Sequence, residues 1–569
     1  MLLADAFNLW HGNKAMDDRT KKDIRLCALQ NAIFHKGKAN AGAVLGRILA
    51  DRPELRSDFK GTGKAVAEAI KDVGRMTLEQ QQAELERESP AMLRKEKKSE
   101  EMPELEGAVE GKVVTRFAPA PTGPLTIFHL MRAAFLSYYY ARRYHGKFVL
   151  RLEDSDPTKV RTEFYDFIVQ DLKSVGIDYD TLVLESSHMD TYYSHAEKMI
   201  KAGKAYVCAC PAEAFRALKE KKKECACRSK TAADNEKTWK SMLDGACKQG
   251  DAVLRLRTSM NEPNPVLRDP PLFRICDLAH PKTGTKYKVW PLYNFACAVE
   301  DHLSGVTHVF RAKEHEHNTA VQKLVYDFFG WTKPAFINFG LVYFPGTKMH
   351  KRDIKSSMEK GVYTGWDDPQ LPTVRAFLRR GFLPKTFEAL AKTCGLSKND
   401  IRIGWENLEG INRKLLDPVA NRYMAVVDPV KIEAEGPLPK SIELERHPDF
   451  TDRGMRTVPV DAKEIYVAGA DFKKLQGTPA RLIGLGNFTL GKKSRYLGNE
   501  ISHGMQKIQF VSVPNVPVEL LMPDGTKLAG LGEPEMGRLR MGDVIQMNRV
   551  GFARVDAAGK KVALVFAHK

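Results

Sequence analysis

The stretch from Val113 to Asp154 constrains the fold more than any other part of this chain: VVTRFAPAPTGPLTIFHLMRAAFLSYYYARRYHGKFVLRLED. A short β-rich run, VVTRF, ends in a loop rich in Pro and Gly. A helical pattern follows, MRAAFLSYYYARRYHG, and then a second β-rich run, KFVLRLED. Strand, loop, helix and strand make a βαβ unit, which predicts the start of a doubly wound, Rossmann-like nucleotide-binding sheet. The loop suits a phosphate ligand, because Pro and Gly let backbone and short polar groups approach a triphosphate at a helix N-terminus. Many βα turns carry the same residues for geometry alone, so the loop gains meaning only with the rest of the chain.

At 569 residues the chain is too long for one core, and roughly three to five domains are expected. Residues 1 to about 88 read as helical. Leu26, Leu29 and Ile33 fall at i, i+3 and i+7 and form one apolar stripe. GKANAG then breaks the pattern, and Val44, Leu45 and Ile48 continue on a second helix. From 89 to 112, SPAMLRKEKKSEEMPELEGAVEGK is charged and nearly free of bulky apolar residues, so a linker is expected. From about 430 onward, short β-rich runs such as EIYVAG, KIQFVSV and KVALVFAH alternate with turn residues and predict one or two β-barrels.

The net charge is +18, from 89 Lys+Arg against 71 Asp+Glu. Such a balance fits a polyanionic partner, most often nucleic acid, and also fits a generally basic protein with no such partner. No apolar run approaches the roughly 18–20 residues of a membrane span. The opening MLLADAFNLWHGNKAMDD has no basic region ahead of an apolar core, so no secretion signal is expected. The nine cysteines are odd in number and four of them cluster, which favours a reducing cytosol and a metal site over a disulfide framework.

That cluster is YVCACPAEAFRALKEKKKECACRSK. Cys208 and Cys210 are followed, after fourteen residues, by Cys225 and Cys227. Two C-x-C knuckles bridged by a helix suit a closed, structural tetrahedral Zn²⁺ site, the alternative being four reduced thiols. A second cationic element lies in YFPGTKMHKRDIKSS, where Lys348, Lys351 and Arg352 follow a Pro-Gly turn. Cations on such a loop can neutralise the charge that develops as pyrophosphate leaves; the plainer reading is a solvated basic loop.

Taken in order, VVTRFAPAPTGPL, KFVLRLEDSDPTK, KVWPLYNFACAVEDHLSGVTHVFRAKEHEHNT and GWDDPQLPTVRAFLRRGF resemble the class I glutamyl-tRNA synthetases of archaeal type. The likeness spans nearly the whole chain, and ALQNAIFHKGKANAGAVLGRILADRPELR resembles the helical domain appended to that family. It implies a two-step reaction. The α-carboxylate of glutamate attacks the α-phosphate of ATP and expels pyrophosphate. The terminal ribose hydroxyl of tRNA then takes the glutamyl group.

The resemblance also assigns roles. Arg116 matches the arginine that pairs with the substrate's side-chain carboxylate, and Tyr293 a tyrosine that holds the same substrate. Glu153 matches the carboxylate facing the α-amino group, and Arg311 an arginine of the amino-acid pocket. Thr126 and His129 stand at the two histidines of the first signature, with Phe128 at its glycine and one extra residue in the region. Lys348-Met349-His350-Lys351-Arg352 forms the second signature, with His350 in place of serine. Ala120 and Cys297 are further departures, at positions where relatives carry polar residues.

The expected architecture is multidomain α/β plus β. It comprises a helical N-terminal domain and linker (1–100), the first half of the catalytic domain (110–205), and an acceptor-binding insertion carrying the Cys cluster (206–290). The second catalytic half with the KMHKR loop (291–352), a helical connector (353–428) and a C-terminal β-barrel anticodon-binding region (429–569) follow. The resemblance implies ATP with Mg²⁺, L-glutamate and tRNA(Glu) as ligands, with tRNA(Gln) a second candidate. A cytoplasmic monomer without membrane contact is expected. Two alternatives stay open: a glutaminyl-tRNA synthetase, and a tRNA-binding paralogue without ligase activity.

Overall fold

The computed structural model describes residues 17–35, 37–93, 101–346, 351–500 and 504–569. It separates into two compact units, divided at residue 100.

In the first unit four helices, Asp18–Phe34, Ala41–Asp51, Phe59–Val73 and Leu78–Glu88, enclose a small core. Their starts are written in the sequence. Asp17, Asn40, Asp58 and Thr77 each cap a helix by accepting from a backbone N–H in its first turn, and Thr77 with Gln80 closes a capping box. The first helix buries Ile24, Ala28, Leu29 and Ala32, whereas Leu26 and Ile33 are only partly covered. The apolar stripe is therefore rotated from the expected one. Alanines carry little hydropathy, but they let the helix Phe59–Val73 approach closely.

The second unit is organised by five parallel strands in the order β3-β2-β1-β8-β9. These are β1 (Val114–Phe117), β2 (Lys147–Leu152), β3 (Thr181–Leu184), β8 (His308–Ala312) and β9 (Ala335–Phe339). β1 pairs with β2 on one side and β8 on the other, so the chain's direction of progress reverses there. In open α/β sheets such a switch point leaves a crevice at the carboxyl ends of the strands. Between β3 and β8 the chain builds a separate antiparallel sheet from β4 (Ala205–Cys208), β5 (Val253–Leu256), β6 (Pro271–Ile275) and β7 (Val289–Pro291).

The expected linker fails over its second half. Met102 and Leu105 are 3% and 8% exposed and join the main core. Tyr140 donates its hydroxyl to the Pro103 carbonyl at 2.8 Å, and Leu105 N–H donates to the Tyr144 hydroxyl at 3.0 Å. Two apolar residues among many charges suffice, because they land on an aromatic helix that needs a cover. Pro90–Leu93 forms a 3-10 turn.

The C-terminal region holds two seven-stranded sheets. One begins with Asn421–Tyr423 and ends with Ala425–Val427; the other ends with Gln506–Ile508 and Phe510–Ser512. Each pair of edge strands is consecutive in the chain and separated by one residue, Met424 or Gln509. The two edges of each sheet thus meet, which closes each into a barrel and removes its open edges. The first of these strands starts at Asn421, ahead of the expected 429, because runs of three residues straight after a helix are too short to read.

Candidate active site

A cavity of about 470 Å³ opens at the switch point. The ends of β1 and β8 supply Arg116 and Arg311, the turn after β2 supplies Glu153, and the helix Tyr293–Leu303 supplies Tyr293 at its first position. Four residues far apart in sequence thus face one space, because parallel strands deliver their carboxyl ends to one edge.

Beneath them lies a buried ionic network. Asp301 Oδ1 accepts from Arg116 Nε at 3.2 Å and from Arg151 Nη1 at 2.5 Å. Arg151 in turn reaches Glu153 Oε1 at 3.1 Å and the Cys297 sulfur at 3.2 Å. Burial would raise the Asp301 carboxyl, but the charges of Arg151 and Arg116 overcome it and hold the group below the usual range. For Glu153 burial outweighs the same two arginines and raises it. Glu185, buried and close to Glu153, lies well above the usual range. Burial also pushes the Cys297 thiol up to about 12, so it stays neutral. The cavity itself is lined by Arg116, Arg132 and Arg311 against Glu153 and Glu314, so its wall is cationic.

Arg311 is 5% exposed. Its Nη1 donates to Gln322 Oε1 at 3.0 Å and its Nη2 to the Thr319 hydroxyl, yet its buried Nε has no partner among the described residues. Arg116 gives Nη1 to the Phe310 carbonyl at 3.4 Å. Sequence reasoning missed Arg151, Asp301, Thr319 and Gln322. The last two were readable, since they lie on the first turns of the helix after EHEH, on the side of Arg311.

The opposite wall is the Pro/Gly loop. Thr122, Gly123, Phe128 and His129 line the cavity with Ala120. Thr126 Oγ1 lies 3.0 Å from His129 Nδ1. The loop's register is pinned from outside, because Ile127 N–H donates to the Pro372 carbonyl at 3.1 Å and Val374 N–H to the Leu125 carbonyl at 2.9 Å. The GWDDPQLPTV motif is therefore the strand-like partner of this loop. The helix that follows opens with a π-helical turn over His129–Ala134. The Phe128 ring turns aside to pack on Phe344, with centroids 5.8 Å apart.

Of the second signature, Lys348 lies outside the described residues. Lys351 and Arg352 open the helix Lys351–Glu359, and their side chains are likewise not described.

In the insertion, the helix Ala212–Glu220 bridges the two cysteine knuckles. Cys208 and Cys225 sulfurs are 3.9 Å apart, Cys210 and Cys227 sulfurs 3.8 Å, and all four lie within 4.8 Å of one another. A tetrahedron with 2.3 Å metal–sulfur bonds has edges of about 3.8 Å, so the four sulfurs fit one ion. Burial raises the Cys208 and Cys210 thiols, so a cation is what would hold them as thiolates. Asp417, His447 and Asp449 also converge. There His447 Nδ1 is taken up by the Asp449 N–H at 3.1 Å, and Nε2 lies 3.9 Å from Asp417, beyond hydrogen-bond reach.

A cationic crevice at the switch point, closed by an anion-seeking loop, is the site of a nucleotide-using enzyme of the doubly wound class. Residues 112–418 match the tRNA synthetases class I (E and Q), catalytic domain, and residues 420–506 match the anti-codon binding domain of the same group. The chain belongs to this family of class I tRNA synthetases. A glutamate--tRNA ligase of Pyrococcus abyssi is 42% identical over 566 residues, covering 95% of this chain and 98% of that one. Enzymes of the same name from Pyrococcus furiosus and Methanothermobacter thermautotrophicus are 41% and 40% identical, again over 95% of this chain and 98% of theirs.

Proposed function

We propose that this protein is a glutamate--tRNA ligase that uses ATP with Mg²⁺ to form glutamyl-adenylate and passes the glutamyl group to the 3′ end of tRNA(Glu). The observation that carries the choice of amino acid is the pair Arg116 and Arg311, which line one cavity from neighbouring strands. A side-chain carboxylate between the two guanidinium groups offsets their positive charge. Glutamine would leave that charge.

In this reading Glu153, held by Arg151, faces the α-ammonium group, and Tyr293 closes the wall between them. Thr126 and His129 receive the phosphates at the start of the helix, and Lys348, Lys351 and Arg352 neutralise the departing pyrophosphate. The side chains position and stabilise charge and form no covalent bond with substrate. Cys208, Cys210, Cys225 and Cys227 hold a structural Zn²⁺, which fixes the two knuckles and takes no part in the chemistry. The protein acts as a cytoplasmic monomer. Among the described residues no helix is long and apolar enough to cross a membrane.

The test is aminoacylation with labelled glutamate, ATP-Mg²⁺ and either tRNA(Glu) or tRNA(Gln). Charging of tRNA(Glu) is expected, and the second lane reports whether tRNA(Gln) is also a substrate. Binding of tRNA without charging would refute the reading and favour a paralogue that has lost its ATP site.

A further inference from the structure

The cavity wall also carries a histidine that has no part in the roles above. His315 lies between β8 and the helix Glu316–Phe329 and lines the same cavity as Arg116, Arg311 and Tyr293. Its Nδ1 has two partners: Asn318 Nδ2 donates at 3.1 Å, and the Tyr293 hydroxyl lies at 3.5 Å. A ring nitrogen that accepts carries no proton, so the proton of neutral His315 sits on Nε2. The surroundings favour that neutral form. Burial acts first, then the charges of Arg311 on β8 and Arg116 on β1, and then His317 on the following helix. Together they push His315 down to about 4. The flanking Glu314 and Glu316 are exposed and do not reverse this.

We infer that His315 is a specificity-determining residue: its Nε2–H donates to the side-chain carboxylate of the bound amino acid, and Asn318 is the positioning residue that fixes the tautomer. The inference rests on the reading of Arg116 and Arg311 as carboxylate ligands. With His315 added, three walls of the cage present N–H groups. A carboxylate has lone pairs for all of them. An amide of the same shape turns its own NH₂ toward at least one N–H donor, and donors left facing each other in a buried site are strongly rejected. A neutral imidazole makes this discrimination without adding a third positive charge to a crowded site.

Steady-state aminoacylation of tRNA(Glu) by the full chain tests this, with glutamate and glutamine as competing amino acids and the KM for ATP as internal control. His315→Phe keeps a ring and removes the donor; the KM for glutamate should rise on the order of tenfold while that for ATP stays within about twofold. His315→Gln brings in an amide oxygen as acceptor, and the preference for glutamate over glutamine in kcat/KM should fall by on the order of tenfold. Asn318→Leu should raise the KM for glutamate by less than His315→Phe does. An unchanged KM for glutamate in both His315 variants, or a rise in the KM for ATP alone, overturns the inference. Arg311→Ala separates the two levels. If it too leaves the KM for glutamate unchanged, the carboxylate cage itself is wrong. If it raises that KM and His315→Phe does not, only the role of His315 falls.

Discussion

Replacing Asp301 by Asn removes one charge from the floor of the site and changes little else in shape. Asp301 is 1% exposed and accepts from two guanidinium groups, Arg116 Nε at 3.2 Å and Arg151 Nη1 at 2.5 Å. The amide keeps one acceptor oxygen but leaves Arg116 without its buried counter-ion and Arg151 with Glu153 as its hydrogen-bonded carboxylate. Breaking a buried ion pair by neutralising one partner costs about 3–5 kcal/mol. The retained hydrogen bond places this variant near the lower end, about 3 kcal/mol. The same loss frees Arg116 from its orientation and, through Arg151, loosens Glu153. A loss of order 3 kcal/mol in transition-state positioning corresponds to roughly a hundredfold fall in kcat/KM for glutamate. Urea unfolding monitored by tryptophan fluorescence gives the stability change, and aminoacylation gives the kinetic one. A variant that loses under about 1 kcal/mol and retains kcat/KM within tenfold would refute the claim that Asp301 organises the site.

Three further outcomes are expected. Purified protein should carry about one zinc ion per chain. Cys225→Ser should lose it and become sensitive to proteolysis within 208–228; wild-type protein free of metal after purification in zinc would refute the site. His315 also makes stability depend on pH. Its folded value near 4 lies below the ordinary 6.5, so the unfolded chain takes up the proton first as pH falls. The stability it contributes is full above about pH 6.5 and is lost toward pH 4, on the order of 1–2 kcal/mol by pH 5. The urea midpoint of wild type should therefore fall more between pH 7.5 and 5 than that of His315→Gln, and equal falls would refute it. Finally, Phe128→Ala removes a half-buried ring from Phe344 and should cost about 1–2 kcal/mol of stability. The KM for ATP should stay within about threefold, because the ring is held against Phe344. A much larger rise would mean that Phe128 touches ATP.

Local rules made much of this protein legible in its sequence. The βαβ start, the capped helices of the first unit, the paired cysteine knuckles and the β-rich end all follow from short-range pattern, turn chemistry and spacing. The positions that match the family's substrate residues could be named as well, since they sit in recognisable local motifs. Tertiary structure alone decided the rest. Met102 and Leu105 look like charged-linker residues until an aromatic helix needs covering. The Thr126 segment is pinned by Pro372 and Val374, some 250 residues away. Arg116 and Arg151 share Asp301 across more than 140 residues of chain, and no sequence period records that pairing. The physical reason is common to all three. A side chain's charge state, orientation and cover depend on what the fold brings beside it, and a parallel sheet brings together residues that are remote in sequence.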